Sequence, residues 1–392
     1  MMTRRSSLRA LAGFGLAGLG PSGLCAAPDA ALREVLAHHA ELVHASYADA
    51  VAQAKQLQSA IDAFVSAPTE LGLTAARRAW LDAREWYGQT EAFRFYGGPI
   101  DGKGGPEPRI NAWPIDESYV DYVEGRPGSG IVNDRRIPLG KARLAALNEL
   151  RSEANISTGW HAIEFLLWGQ DFDPKGPGRR PSSDYVDGQR PNADRRRAYL
   201  RLVAELLIDD LSAVLKAWAP GVSGNYRIKF VARAERLGLV FTGLGVLSRA
   251  ELAGERLEVA LDTQQQEDEH SCFSDNTHRD FVAALVGIGN VWRGEFKRVD
   301  GSVLKGPSPR GLVAAKAGAA AADVDSKLDA AMQAALALQP PFDQEIIGAD
   351  KAPGRMRAFA LLRSLRALAD ALAQASTSLG LRGLVSPSRA RR

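Results

Sequence analysis

The sequence predicts an all-α protein whose antiparallel helices form two bundle-like halves. Long segments rich in alanine and leucine run without glycine or internal proline, and they place apolar residues at helical spacing. Stretches rich in glycine, proline and charge separate these segments, and no stretch shows the alternation typical of strands. Because 392 residues exceed what one core usually supports, two bundles meeting near residues 220–224 are favoured.

Residues 1–27 have the features of a secretory signal peptide. Arginines precede an apolar, glycine-rich run, and small residues follow it. The adjacent arginines loosely match a twin-arginine signal, so the Tat and Sec routes both stay open. Leu24 stands where lipid attachment at Cys25 requires a small residue, which favours cleavage near Ala26 or Ala27 over a lipid anchor. We therefore expect a periplasmic protein.

Charge and cysteine content exclude several classes of protein. The leader holds three of the 49 basic residues, so the mature chain balances its 46 acidic residues and carries no basic stripe for nucleic acid. No apolar run after the leader is long enough to predict a transmembrane span. Cys272 would be the only cysteine left, which excludes a disulfide within the mature chain. Phosphate-binding glycine loops and serine-hydrolase elbows are also missing.

The N-terminal half, residues 28–220, is predicted to contain both long and short helices. Residues 97–140 should be mostly irregular, with one short helix at 116–124, and residues 169–191 should form a loop. The main helices are expected at residues 28–68, 69–96, 139–154, 157–169 and 192–219.

The C-terminal half, residues 221–383, is predicted to contain helices at 225–263, 276–292, 309–338 and 353–379, followed by a disordered basic tail at 384–392. Both halves contain a serine four residues before a histidine, at Ser157/His161 and at Ser274/His278, with Gly169 and Gly287 beyond them. Internal duplication and chance explain these short matches equally well.

The segment that starts at Ser157 is the strongest candidate for a functional site. His161 and Glu164 stand three residues apart in an apolar helix, so both side chains can point into one cleft. Imidazole and carboxylate together suit iron, zinc, copper or manganese. The alternative is a structural histidine that is hydrogen-bonded to a glutamate. Phe165 stands where a zinc-protease helix would place a second histidine, so neither protease pattern is present.

Further metal ligands are expected in the same half. Arg84, Tyr87, Glu91 and Arg94 share one predicted helical face among aromatic residues, which indicates a buried carboxylate that needs an arginine or a metal. An exposed row of ion pairs is the alternative. Asp101 could approach from the following loop. Two other acids in the irregular stretch could do the same or could cap a helix, namely Asp116 and Glu117.

The segment 264–280 concentrates acidic residues, two histidines and Cys272. Such density could bind a cation, although a polar junction that caps two helices explains most of it. A buried Cys272 would be inert.

Several motifs together resemble the imelysin family: Gly159-x-His161-x-x-Glu164, Tyr87-x-Gln89-Thr90-Glu91-x-Phe93-Arg94-Phe95, Gly98-Pro99-Ile100-Asp101, Asn111-Ala112-Trp113-Pro114-Ile115-Asp116-Glu117, and the segment Glu267 to His278. The resemblance implies an exported protein of two helical halves, iron-regulated expression, and a metal or ligand site near His161 and Glu164. Members have been called metallopeptidases, and relatives act in periplasmic iron uptake. Glu91 matches a carboxylate that relatives place near the motif, and Asp101 matches within a loop that varies.

Three hypotheses follow from the residues and the resemblance. In the first, the metal ligands are His161, Glu164, Glu91 and Asp101, and the chain binds iron, with zinc as a second possibility, for iron acquisition with envelope transport proteins. In the second, the metal supports proteolysis and Glu91 acts as base. In the third, the cleft binds a peptide or envelope component without metal.

Overall fold

The computed structural model describes residues 26–381, and the predicted leader and the tail lie outside this range apart from Ala26 and Ala27. The described chain is all-α, as predicted, with one small hairpin. Its helices are α1 Ala26–Ser66, α2 Glu70–Gln89, α3 Glu107–Ile110, α4 Glu117–Val120, α5 Gly130–Asn133, α6 Lys141–Leu147, α7 Gly159–Trp168, α8 Ala193–Ala217, α9 Tyr226–Val231, α10 Leu237–Val246, α11 Val259–Thr263, α12 Thr277–Arg293, α13 Pro309–Lys316, α14 Gly318–Leu336, α15 Asp343–Ile346 and α16 Pro353–Ser378.

The N-terminal helices follow the predicted order but end earlier in two places. Helix α2 stops at Gln89, and Thr90–Phe93 continues it as a 3-10 turn rather than as helix to residue 96. Helix α6 ends at Leu147 instead of residue 154. The segment 97–140 holds three four-residue helices rather than one, and a further 3-10 turn forms at Ser182–Tyr185.

Two C-terminal helices that were predicted as continuous are divided. The stretch from Tyr226 to Thr263 breaks after α9, passes through a 3-10 turn and α10, and then forms a π-helix at Leu247–Glu258 before α11. Ala317 separates α13 from α14 because its φ of −149° and ψ of 70° are not helical. Apolar periodicity continues across both breaks, so the sequence pattern alone did not reveal them.

The prediction that the chain lacks strands is wrong at one place. Strands β1 Glu295–Lys297 and β2 Val303–Lys305 form an antiparallel hairpin in which Phe296 pairs with Leu304. Phe296 packs with Leu42, Ala45 and Trp86 in a small apolar cluster of its own. Three residues per strand are too few to show an alternating pattern.

The core runs through both predicted halves. One cluster of buried apolar residues extends from Val35 to Ala375, and α2 of the first half packs against α12 of the second. The proposed boundaries at residues 220 and 383 stay predictions. One described stretch, Ala234–Thr263, passes a length and hydropathy test for a membrane span, but 56% of its most apolar window is buried within the fold, as in a core helix.

Candidate functional site

Helix α7 carries His161 and Glu164 and is buried along its whole length. Gly159 begins it with a φ of +84°, and a Cβ atom at this position would lie 2.4 Å from the carbonyl oxygen of Ile110. Only glycine tolerates both the dihedral angle and the contact. Gly169 ends the helix at a φ of +74°, as the sequence predicted. The glycine of the motif therefore seats α7 against α3.

His161 and Glu164 share one face of α7, as their spacing predicts. Nδ1 of His161 lies 2.9 Å from Oε2 of Glu164, and both side chains are buried. The other carboxyl oxygen of Glu164 accepts hydrogen bonds from the backbone N–H and the hydroxyl of Ser274, at 3.0 and 2.6 Å. Nε2 of His161 has no hydrogen-bond partner among the described residues. The ring is held at one nitrogen and free at the other.

A second histidine, His270, faces the first and is held in the same way. The two imidazole rings meet edge to face with centroids 4.7 Å apart. Nδ1 of His270 lies 2.7 Å from Oδ2 of Asp280, and that oxygen also accepts the hydroxyl hydrogen of Ser271 at 2.6 Å. Arg84 donates to the other oxygen of Asp280 at 2.9 Å. A carboxyl group at Nδ1 is the usual partner of a histidine whose Nε2 binds a metal.

Burial keeps both imidazoles neutral. It lowers the pKa of His161 well below its usual range and the pKa of His270 to about 3, and neighbouring arginines act in the same direction. Burial raises the pKa of Glu164 to about 8, although the hydrogen bonds from Ser274 oppose it. Burial also opposes the ionisation of Asp280, but Arg84 and His270 overcome it and hold the pKa of Asp280 well below its usual range. Near pH 7 the His161–Glu164 pair is therefore mostly uncharged beside an ionised Asp280.

Buried polar contacts connect this pair of histidines to Glu91. Arg84 donates to Oδ1 of Asn111 at 2.6 Å, and the amide of Asn111 donates to Oε1 of Glu91 at 3.0 Å. The guanidinium of Arg256 lies 2.7 Å from Oε2 of Glu91. Glu91 is thus a buried carboxylate paired with arginine, one of the two partners that the sequence suggested. The guanidinium of Arg84 also lies 5.4 to 5.6 Å from the ring centroids of Trp80, Tyr87 and Trp160.

Arg256 reaches this network from the π-helix. Its guanidinium donates to Oε1 of Glu251 at 3.0 and 2.7 Å, and the two residues are five apart in sequence. In a regular α-helix, two residues five apart lie about 140° apart around the helix axis. The i to i+5 hydrogen bonding of a π-helix brings them closer to one face, and π segments often occur at functional sites. The π-helix therefore supplies the counter-charge for Glu91.

The predicted metal ligands are only partly brought together. His161 and Glu164 touch, whereas Glu91 is bound to arginine, and Asp101 accepts hydrogen bonds from the backbone N–H groups of Phe95 and Gly98 in its own loop. Among the residues that the structure describes, no group of three or more His, Cys, Asp or Glu side chains is arranged to hold a metal ion.

The remaining acidic candidates have structural partners. Asp116 caps α4 by accepting the N–H of Ser118 at 3.0 Å, as its alternative interpretation proposed. Glu117 accepts a hydrogen bond from Gln170. These contacts account for the positions of both carboxylates without a bound metal.

Sequence reasoning underestimated the segment 264–280. Part of it ends a helix, since Gln264 is the C-cap of α11 and its N–H donates to the carbonyl oxygen of Ala260 at 2.9 Å. Asn276, the N-cap of α12, makes no side-chain capping bond. His270 and Asp280, however, lie at the centre of the site. The one signal available was the density of histidine and acid in this segment. Cys272 is buried, and burial raises the pKa of its thiol well above the usual range, so the prediction of an inert thiol agrees with the structure.

An open cleft of about 660 Å³ extends to Ser274. Its lining includes Glu85 of α2, Lys175, and Ser274, Asp275 and Arg279 around the start of α12. Because Ser274 both lines the cleft and binds Glu164, it links the cleft to the His161–Glu164 pair.

Comparison with known proteins identifies the family. The family model described as "Peptidase_M75: Imelysin" matches residues 43–372. The chain belongs to the imelysin family. A curated relative, the Iron-regulated protein A of Synechococcus elongatus, is 27% identical over 276 residues, which span 67% of this chain and 63% of that protein.

Two crystal structures share the imelysin fold of this chain. A candidate iron-regulated protein A precursor from Parabacteroides distasonis superimposes with a TM-score of 0.69 at 16% identity, covering 90% of this chain and 95% of that one. An imelysin-like protein from Psychrobacter arcticum gives a TM-score of 0.65 at 16% identity, covering 90% and 97%. The all-α fold is therefore that of its family.

Proposed function

We propose that this imelysin is exported and binds an iron ion at His161 and His270 to serve iron acquisition. The observation that carries the proposal is the pair of buried, neutral imidazoles with centroids 4.7 Å apart, each held at Nδ1 by a carboxyl group. A neutral imidazole is a good ligand for iron, and the hydrogen-bonded carboxyl group orients it. The name of the cyanobacterial relative, Iron-regulated protein A, supports iron over other metals.

The residues fit a metal ion that is transported as cargo better than a metal ion whose ligands all come from the protein. The chain would offer two nitrogen ligands, with Glu164 orienting His161. Glu91 could become a ligand only if the ion replaced Arg256 as its partner. Asp101 could do so only if it gave up the hydrogen bonds that it accepts from backbone N–H groups of its own loop. Water or the chelate that delivers the iron would fill the other positions. Zinc takes the same nitrogen donors and is the competing ion.

Anaerobic titration of the mature protein with Fe²⁺ alone tests the proposal. We expect about one ion per chain. Binding should be lost in His161→Ala and in His270→Ala, and Asp280→Asn should weaken it by about 10- to 100-fold because the orienting carboxylate is gone. His44→Ala, at a half-buried histidine of α1, is the matched control. Equal uptake by the wild type and both histidine variants would reject this site, and His161 would then be structural, as in the metal-free hypothesis.

A second candidate function is metal-dependent peptide hydrolysis, which the open cleft next to Glu164 favours. A bound ion would supply Lewis-acid activation of water, and a carboxyl group would accept the proton. Cleavage of an unfolded substrate should then be sensitive to chelators and lost in Glu164→Gln. Activity that persists in this variant would come from a contaminant.

A further inference from the structure

We propose a second cation site, for Ca²⁺, formed by the carboxylates of Asp171, Glu269, Asp275 and Asp343. These residues come from the loop after α7, the segment before α12, and the first turn of α15. The site uses none of the residues assigned to iron, and it stands whether or not the proposed iron function is correct.

Three of the acids have unused oxygens and lie on segments that touch each other. Asp275 and Asp343 are both buried, and the side-chain amide of Gln344, next to Asp343, donates to the carbonyl oxygen of Pro174 in the loop of Asp171 at 2.6 Å. Oδ1 of Asp275 and Oδ2 of Asp343 have no hydrogen-bond partner among the described residues. Oδ1 of Asp171 accepts the N–H of Asp173 at 2.9 Å, whereas its Oδ2 has no partner in the same part of the chain.

Glu269 provides an independent indication of a ligand. Its side chain is 0% exposed, and neither carboxyl oxygen has a hydrogen-bond partner within the described residues. Its segment lies against the loop that carries Asp171, because the N–H of Gly178 donates to the carbonyl oxygen of Phe273 at 2.9 Å. A buried carboxylate without any donor is costly unless a cation replaces the lost water.

Comparison with the other buried carboxylates of the described chain shows that a carboxyl group without a partner, such as that of Glu269, is unusual. Glu164 is bound by His161 and Ser274. The others form ion pairs with arginine: Asp49 with Arg298, Glu91 with Arg256, Asp121 with Arg180 and Arg196, Asp184 with Arg180, Asp210 with Arg109, Asp280 with Arg84, and Glu345 with Arg357. Within the described range, no ion pair joins a lysine or arginine to any of the four acids of the proposed site. A bound cation would take the place that arginine has elsewhere.

The chemistry of the four groups favours calcium. Ca²⁺ takes six to eight oxygen ligands in flexible geometry and accepts carboxylates, backbone carbonyls and water, whereas Mg²⁺ demands a near-ideal octahedron. In the described structure the four carboxylates do not converge on one point. Side-chain rotation would complete the shell around the ion.

Calorimetric titration of the EDTA-treated mature protein with Ca²⁺ alone tests the proposal. We expect about one ion per chain and a rise in Tm on binding. Glu269→Gln and Asp343→Asn should each weaken binding at least about tenfold, because each removes a charged ligand. Glu269→Gln should also raise the Tm in EDTA, since it removes a buried carboxyl group that is ionised in the unfolded chain but must take up a proton in the fold. The matched control is Asp262→Asn, an exposed acid of α11.

The two metal proposals can fail separately. His161→Ala should bind Ca²⁺ like the wild type, and Glu269→Gln should bind Fe²⁺ like the wild type. Wild-type protein that shows neither binding heat nor a Tm shift at millimolar Ca²⁺ would overturn the calcium site. Calcium affinity that is unchanged in both Glu269→Gln and Asp343→Asn would overturn it as well, and Asp171→Asn replaces whichever variant does not fold.

Discussion

The sequence predicts the contact that His161 makes, but it does not predict the contacts of His270. His161 and its partner Glu164 lie three residues apart on one helix, so spacing alone predicts their contact. His270 depends on Asp280, ten residues away, and Asp280 depends on Arg84, 196 residues away. Only the packing of α2 against α12 brings these groups together. The sequence therefore identifies half of the site, and tertiary structure adds the other half.

Replacement of Glu164 tests whether its role is to hold its neighbours in place. In Glu164→Gln the amide oxygen can still accept both hydrogen bonds from Ser274, and the NH₂ group can donate to His161. In Glu164→Ala these partners stay buried without a bond, so we expect a loss of about 2–4 kcal/mol in the free energy of unfolding. The glutamine variant should lose less than about 1.5 kcal/mol. Urea unfolding measures both, and equal losses would contradict this role.

The crossing of α2 and α12 is the element-scale feature on which the site depends. Two glycines make the close approach possible. A Cβ atom at Gly88 would lie 2.7 Å from Cβ of Ala283, and one at Gly287 would lie 2.2 Å from the carbonyl oxygen of Gln89. The contact at Gly287 is with backbone, which cannot rotate away. Gly287 appeared in the sequence only as a weak sign of duplication, whereas the structure gives it a packing role.

Gly287→Ala should therefore destabilise the protein, by about 1–3 kcal/mol or more, and should disturb the Arg84–Asp280 contact. Gly289→Ala, on the same helix, is the matched control, because its new Cβ would meet only side-chain atoms at 3.4 and 3.6 Å. The control should be neutral or stabilising by up to about 1 kcal/mol, since alanine favours helix. Denaturant unfolding compares the two variants. Similar stability would show that the helices can move apart at little cost.

At the scale of the whole molecule, the sequence predicts the fold class and the order of the long helices, because α1, α8 and α16 are long segments rich in alanine and leucine with no glycine or proline in their interiors. The π-helix and the break at Ala317 leave no signal in the apolar periodicity of the sequence. Glu91 was correctly expected to be buried and to need either an arginine or a metal as partner. The sequence could not decide between the two, because the arginine that binds it, Arg256, comes from the other half of the chain.

The titrating groups of the whole fold predict an unusual dependence of stability on pH. Burial raises the pKa of Glu164 and of Asp275 to about 8, and it raises the pKa of Glu269 well above its usual range. The folded chain therefore keeps protons that the unfolded chain releases at lower pH, and stability falls as the pH rises. Below about pH 6.5 the buried histidines act in the opposite direction, because the unfolded chain then protonates imidazoles that stay neutral in the fold.

Only between about pH 6.5 and 8, therefore, do the acidic groups change the stability without an opposite contribution from the histidines. In EDTA the free energy of unfolding should fall by at least about 1 kcal/mol over this window, since one pKa unit corresponds to about 1.4 kcal/mol. Urea unfolding at fixed ionic strength measures the slope. Glu269→Gln should reduce it and Asp262→Asn should not. Stability that rises across this window would show that these carboxyl groups are ionised in the folded protein, with other groups neutralising their charge.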